Sequence, residues 1–129
     1  MLFANGVAGL VALIHIYIFT LESLSWSKPA TRRAFQMGIE QSEACRLLAF
    51  NQGFYNLFLA LAIGIGLVAL AFGEVLVGQT LISYAVASAF GAGLVLFLSH
   101  RRLARAAGFQ ALPSLLYFAI VFAAHFLAK

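Results

Sequence analysis

Apolar residues dominate four segments of the chain, residues 2–22, 43–72, 75–99 and 106–128, and most charged residues gather between them. Each segment reaches the roughly 20 residues that a helix needs to cross a hydrocarbon core. The pattern predicts an all-α protein, an integral membrane four-helix bundle forming a single domain over residues 1–129.

Composition strengthens that expectation. Of 129 residues, 64% are hydrophobic and 9% charged, with a mean hydropathy of +1.00, where a soluble domain carries roughly a quarter charged residues. The first segment has no basic residue ahead of its apolar run and no small-x-small site near Ser25. It is therefore expected to stay as the first span and not to act as a cleaved signal.

Charge sets the expected orientation. Lys28, Arg32, Arg33 and Arg46 flank the first connection, and Arg101, Arg102 and Arg105 the third, while Lys129 is the only other basic side chain. Short basic loops stay cytoplasmic. Both termini are thus expected on the non-cytoplasmic side of a cell membrane, read as a bacterial inner membrane. The net charge of +4 is a topology signal directed at anionic headgroups of membrane lipids, and no nucleic-acid partner is expected.

Several chemistries drop out. Cys45 is the only cysteine, which excludes an internal disulfide and a multi-cysteine zinc site and makes a small core residue of it. Asp is absent, no GxxxxGK[ST], HExxH or GxSxG occurs, and His15, His100 and His125 fall at different depths. No metal site is expected.

The first connection, SLSWSKPATRRAFQMGIEQSEA, is the only sizeable loop. Pro29 stops the first helix from running on, TRRAFQMGI pairs basic with apolar residues as an interfacial turn or helix would, and Trp26 suits the headgroup level with its ring dry and its N–H wet. Ser42 is placed to cap the second helix, with Glu43 in its first turn. Pro113 either lies near the start of the last span or kinks it. Ala60 with Gly64 and Ala87 with Gly91, joined by Gly66 and Gly93, have helix-packing spacing. They serve contacts within one bundle or between subunits of a homo-oligomer.

Against this apolar background one polar constellation stands out. His15 and Glu22 are seven residues apart in the first span, which at about 100° per residue returns both to nearly one face, about 10 Å apart in depth. In the second span, Asn51, Gln52, Tyr55 and Asn56 share one broad arc, with Arg46 a turn away. Counted inward from Arg46, Asn51 and Asn56 reach a depth matching His15 and Glu22 on a helix running the other way. Either these groups glue helices through hydrogen bonds or they line a site, because a buried polar group costs free energy unless paired. His15 is a candidate acid or base, Glu22 its orienter or a partner of Lys28 or Arg46, Tyr55 an aromatic wall, and Arg46 an anchor for an anionic group. The outer half offers only Gln79, Ser83 and His125, so the polarity is one-sided.

The stretches ALIHIYIFTLESLSW and LLAFNQGFYNLFLA resemble the small four-span membrane proteins of bacteria and fungi known only as a domain of unknown function, the DUF1304 type. That resemblance implies that His15, Glu22, Trp26, Asn51, Gln52, Tyr55 and Asn56 are the family's characteristic positions. More loosely, the chain is similar to the membrane-associated eicosanoid and glutathione enzymes, four-span homotrimers whose second helix carries Arg-Ala-His-x-Asn-x-x-Glu. Arg46, Ala49 and Asn51 look like a stretched version without the histidine, and Asn56 stands nearest the glutamate position. That similarity implies glutathione as a cofactor; apart from it, no cofactor is expected.

The expected function is binding of a small amphipathic or lipophilic molecule in a polar pocket of the cytoplasmic half. Two alternatives stay open: a membrane-embedded enzyme using the same pocket, and a small transporter or exporter subunit.

Overall fold

The computed structural model describes residues 2–127; the ends of the chain, including Ala128 of the expected fourth span and Lys129, lie outside them. Among the described residues the structure is helical without a strand. Helix α1 (Leu2–Phe19) continues as a π-helical turn (Thr20–Leu24). Two short helices follow, α2 (Pro29–Ala34) and α3 (Ile39–Ala44). Three long ones complete the chain: α4 (Arg46–Ala71), α5 (Val75–Ser99) and, after a 3₁₀ turn at Arg101–Leu103, α6 (Ala104–Leu127).

Helices α1, α4, α5 and α6 form an up-down-up-down four-helix bundle in which each packs on its two neighbours and α6 closes back on α1. All four spans are long and apolar enough to cross a membrane. Large apolar side chains such as Leu13, Leu61, Ile65 and Phe122 point outward. The core is instead made of small ones, Ala4, Ala8, Ala12, Ala60, Ala85 and Ala89 around Ile63, Ile82 and Val86. Lipid tails are as apolar as leucine, so the helices gain by close backbone approach and not by hiding apolar surface from a surrounding that already accepts it.

A close backbone approach joins α4 to α5. A Cβ added to Gly66 would lie 2.9 Å from the Gly78 carbonyl oxygen, and one added to Gly78 would lie 2.7 Å from that of Gly66. Gly93 is pressed in the same way against Ala107 and Ala111 of α6. Gly64 and Gly91, which the spacing selects equally, have open space beside them. The tight α4–α5 turn uses Gly73 at φ +84°, where the Gly73 and Glu74 amides bond back to Leu70 and Ala69, a glycine-terminated helix end.

The first connection is fastened down. Pro29 begins α2, as its fixed φ and missing N–H favour. Trp26 differs from expectation: it is buried, its ring packs 5.1 Å from that of Phe35, and its N–H is not wet but donates to the Ser42 carbonyl at 2.8 Å. Arg32 donates to the Ser27 carbonyl, and Gln36 donates across the bundle end to the Arg102 carbonyl at 3.0 Å. Trp26→Phe, which keeps an aromatic ring and removes the donor, is expected to lower stability by about 1–2 kcal/mol in detergent titration followed by circular dichroism. An unchanged midpoint would mean that the strap contributes nothing.

Two further expectations are corrected. Ser42 does not cap the second long helix: its amide already bonds to Gly38 within α3, its hydroxyl is buried without a partner among the described residues, and α4 starts after the joint at Cys45. Cys45 itself is half-buried at that joint and lies outside the core. Of the two placements open for Pro113, the structure has the second: it lies inside α6, which begins at Ala104.

Candidate functional site

The π turn organises the polar end of α1. Thr20 donates to the Tyr17 carbonyl at 2.7 Å, taking up a backbone acceptor where the ladder widens to i→i+5 pairing. The wider turn winds more slowly than an α-helix. Glu22 lies within that turn and reaches α4.

Opposite it, Gly53 lets the two backbones meet. A Cβ there would overlap the Ser23 hydroxyl and lie 3.1 Å from the Glu22 Cβ. Ser23 donates to the Phe50 carbonyl at 2.9 Å, and Asn56 Nδ2 donates to Glu22 Oε2 at 2.9 Å and to the Gln52 carbonyl at 3.1 Å. Glu22 is 8% exposed and Asn56 7%, which makes this a paired carboxylate and carboxamide in a mostly dry place, the condition under which such groups are tolerated.

Beside this pair a cleft of about 560 Å³ opens between the end of α1 and the start of α4, lined among others by Glu22, Ser23, Leu24, Lys28, Arg46 and Phe50. Lys28 and Arg46 bring cations to it. Arg46 Nε lies 3.9 Å from Glu43 Oε2 in an exposed pair one helical turn apart, a contact of the kind that contributes little. Leu24, Leu47 and Phe50 offer it exposed apolar surface.

The sequence constellation is thus divided. Glu22 and Asn56 meet, and Arg46 stands near them. Asn51, Gln52 and Tyr55 are exposed on the outside of the bundle, Tyr55 at 64%, and do not converge on α1. His15 is fully buried in α1, with Nδ1–H donating to the Val11 carbonyl at 2.8 Å and Nε2 without a partner among the described residues. It does not line the cleft. In the outer half, Ser83 and Tyr117 share a hydrogen bond of 3.3 Å, while Gln79 and His125 are exposed.

Sequence reasoning missed Ser23, Gly53 and Lys28 as parts of the site. A glycine in the middle of the polar run NQGFYN was the available signal, since glycine in a helix interior is costly without a packing reason. The π turn had no such signal. Among the described residues no group of three or more His, Cys, Asp and Glu is arranged to hold a metal.

The fold and site together define a small multi-pass membrane protein, a helical bundle with a polar cleft at its basic end. The family model described as "Protein of unknown function (DUF1304)" matches residues 9–122, and the chain belongs to that family. No curated protein and no solved structure matches it. The looser similarity to the eicosanoid and glutathione enzymes therefore has no support, and neither does the glutathione it implied.

Proposed function

We propose that this protein binds a small amphipathic molecule at the cytoplasmic end of its bundle in a bacterial inner membrane, with both termini on the opposite side. The orientation rests on the seven basic residues that flank the first and third connections. One observation carries the binding reading: Glu22, buried and held by Asn56, lies at a cleft lined both by cations and by exposed leucine and phenylalanine. A molecule with a polar head and an apolar body matches both kinds of wall. Ser83 with Tyr117 is the interhelical polar contact of the outer half, which favours binding from one side over passage through the bundle.

Native mass spectrometry of the protein released from mild detergent tests this. A reproducible bound mass is expected on the wild type and reduced occupancy on Asn56→Leu. A wild-type protein that carries no added mass, and takes none up when lipid extract is supplied, would exclude the proposal.

A further inference from the structure

We propose that the cleft between the π turn and the start of α4 selects a net-anionic, phosphate-bearing head group, with Lys28 and Arg46 as its two cationic contacts; this rests on the amphipath-binding role proposed above. Both cations line one cleft although eighteen positions separate them in the chain. Neither is committed elsewhere. Lys28 has no ion-pair partner among the described residues, and Arg46 has only the loose, exposed contact with Glu43.

The rest of the lining fits the same chemistry. Ser23, Ser25 and Ser27 also line the cleft; the Ser23 hydroxyl hydrogen is taken by the Phe50 carbonyl, which leaves Ser25 and Ser27 as hydroxyl donors beside the cations. Phosphate oxygens accept from such hydroxyls as readily as from guanidinium and ammonium groups. Glu22 supplies the opposite character: with one oxygen held by Asn56, the other is free to accept from a hydroxyl or ammonium carried next to the phosphate. Two cations outnumber the single carboxylate in the cleft lining. A head group of net negative charge fits that excess of cations.

The other basic residues do not duplicate this arrangement. Arg101 lies over the Phe97 ring at 4.5 Å, and the second cleft, near His100 to Leu103, is lined by arginines without a carboxylate. General attraction of basic loops to an anionic surface would involve all of them alike. Selection at one cleft would not.

Trp26 is the only tryptophan and lines the cleft, so its fluorescence reports occupancy there. The protein is reconstituted in phosphatidylcholine vesicles containing a small fraction of lipid brominated on the part of the chain near the head group, either phosphatidylglycerol or phosphatidylcholine. Brominated phosphatidylglycerol is expected to quench with an affinity about five-fold higher, the factor that corresponds to roughly 1 kcal/mol from one cation at an anionic surface. That preference should vanish in Lys28→Gln/Arg46→Gln and persist in Arg102→Gln/Arg105→Gln, which removes equal charge from the other connection.

Saturable, equal quenching by the two lipids would overturn the anionic selectivity while leaving amphipath binding intact. Quenching that only follows bulk lipid would overturn both. A preference that survives in Lys28→Gln/Arg46→Gln, or disappears equally in Arg102→Gln/Arg105→Gln, would also overturn the assignment. Added glycerol phosphate separates the sources: relief of quenching supports recognition of the phosphate ester alone, and selective quenching that resists it supports recognition of the intact lipid.

Discussion

Gly78→Ala is expected to destabilise the bundle by about 3 kcal/mol, the upper end of what overpacking a tight contact costs. The added methyl would lie 2.7 Å from the Gly66 carbonyl oxygen and 2.6 Å from the Leu70 Cγ. Leu70 can rotate away, but a carbonyl held within α4 moves only if the helix does. Gly66→Ala meets the reciprocal obstacle, the Gly78 carbonyl at 2.9 Å. Gly64→Ala is the control. It faces open space, so alanine there should stabilise the protein by up to about 1 kcal/mol through its lower conformational cost in a helix. Titration from mild detergent into dodecyl sulfate, with helicity as readout, measures all three. Equal midpoints for Gly78→Ala and Gly64→Ala would mean that the α4–α5 contact is not the tight one.

Asn56→Leu is expected to cost about 2 kcal/mol, because it leaves the buried Glu22 carboxyl without the donor now 2.9 Å away. Removing both polar partners together should cost much less than the sum of the two separate changes, since an apolar pair of similar volume has nothing left to satisfy. The cycle of Glu22→Leu, Asn56→Leu and the double variant should therefore give a coupling of about 1.5 kcal/mol. Hydrogen bonds between membrane helices average roughly 0.6 kcal/mol; an ionisable acceptor pressed against Gly53 belongs at the high end. Additive changes in the same titration would show that the pair is incidental and would remove the floor of the proposed cleft.

The four spans were legible because they depend on something local and additive. A run of apolar residues long enough to cross lipid must satisfy its backbone internally, and a helix is the way for it to do so. The family likeness was legible for a similar reason, since it is carried by two short stretches, around His15 to Trp26 and Asn51 to Asn56. Polar residues at membrane depth also announced themselves, because an apolar background makes each one costly.

Which of those residues meet was decided only by the packed bundle. A helical wheel with 100° per residue put Asn51, Gln52, Tyr55 and Asn56 on one arc and aligned His15 with Glu22. The π turn then changed the winding, Gly53 set how near α1 comes to α4, and of the four residues on the arc Asn56 alone became buried against Glu22. Small-residue spacing likewise nominated Gly64 and Gly66 together. Gly66 became the contact because Gly78, on the next helix, lies at its height. Hydropathy is a property of each residue and its place along the chain, whereas a site depends on the rotation, register and separation of two helices, and those are set by the sum of contacts from every helix in the bundle.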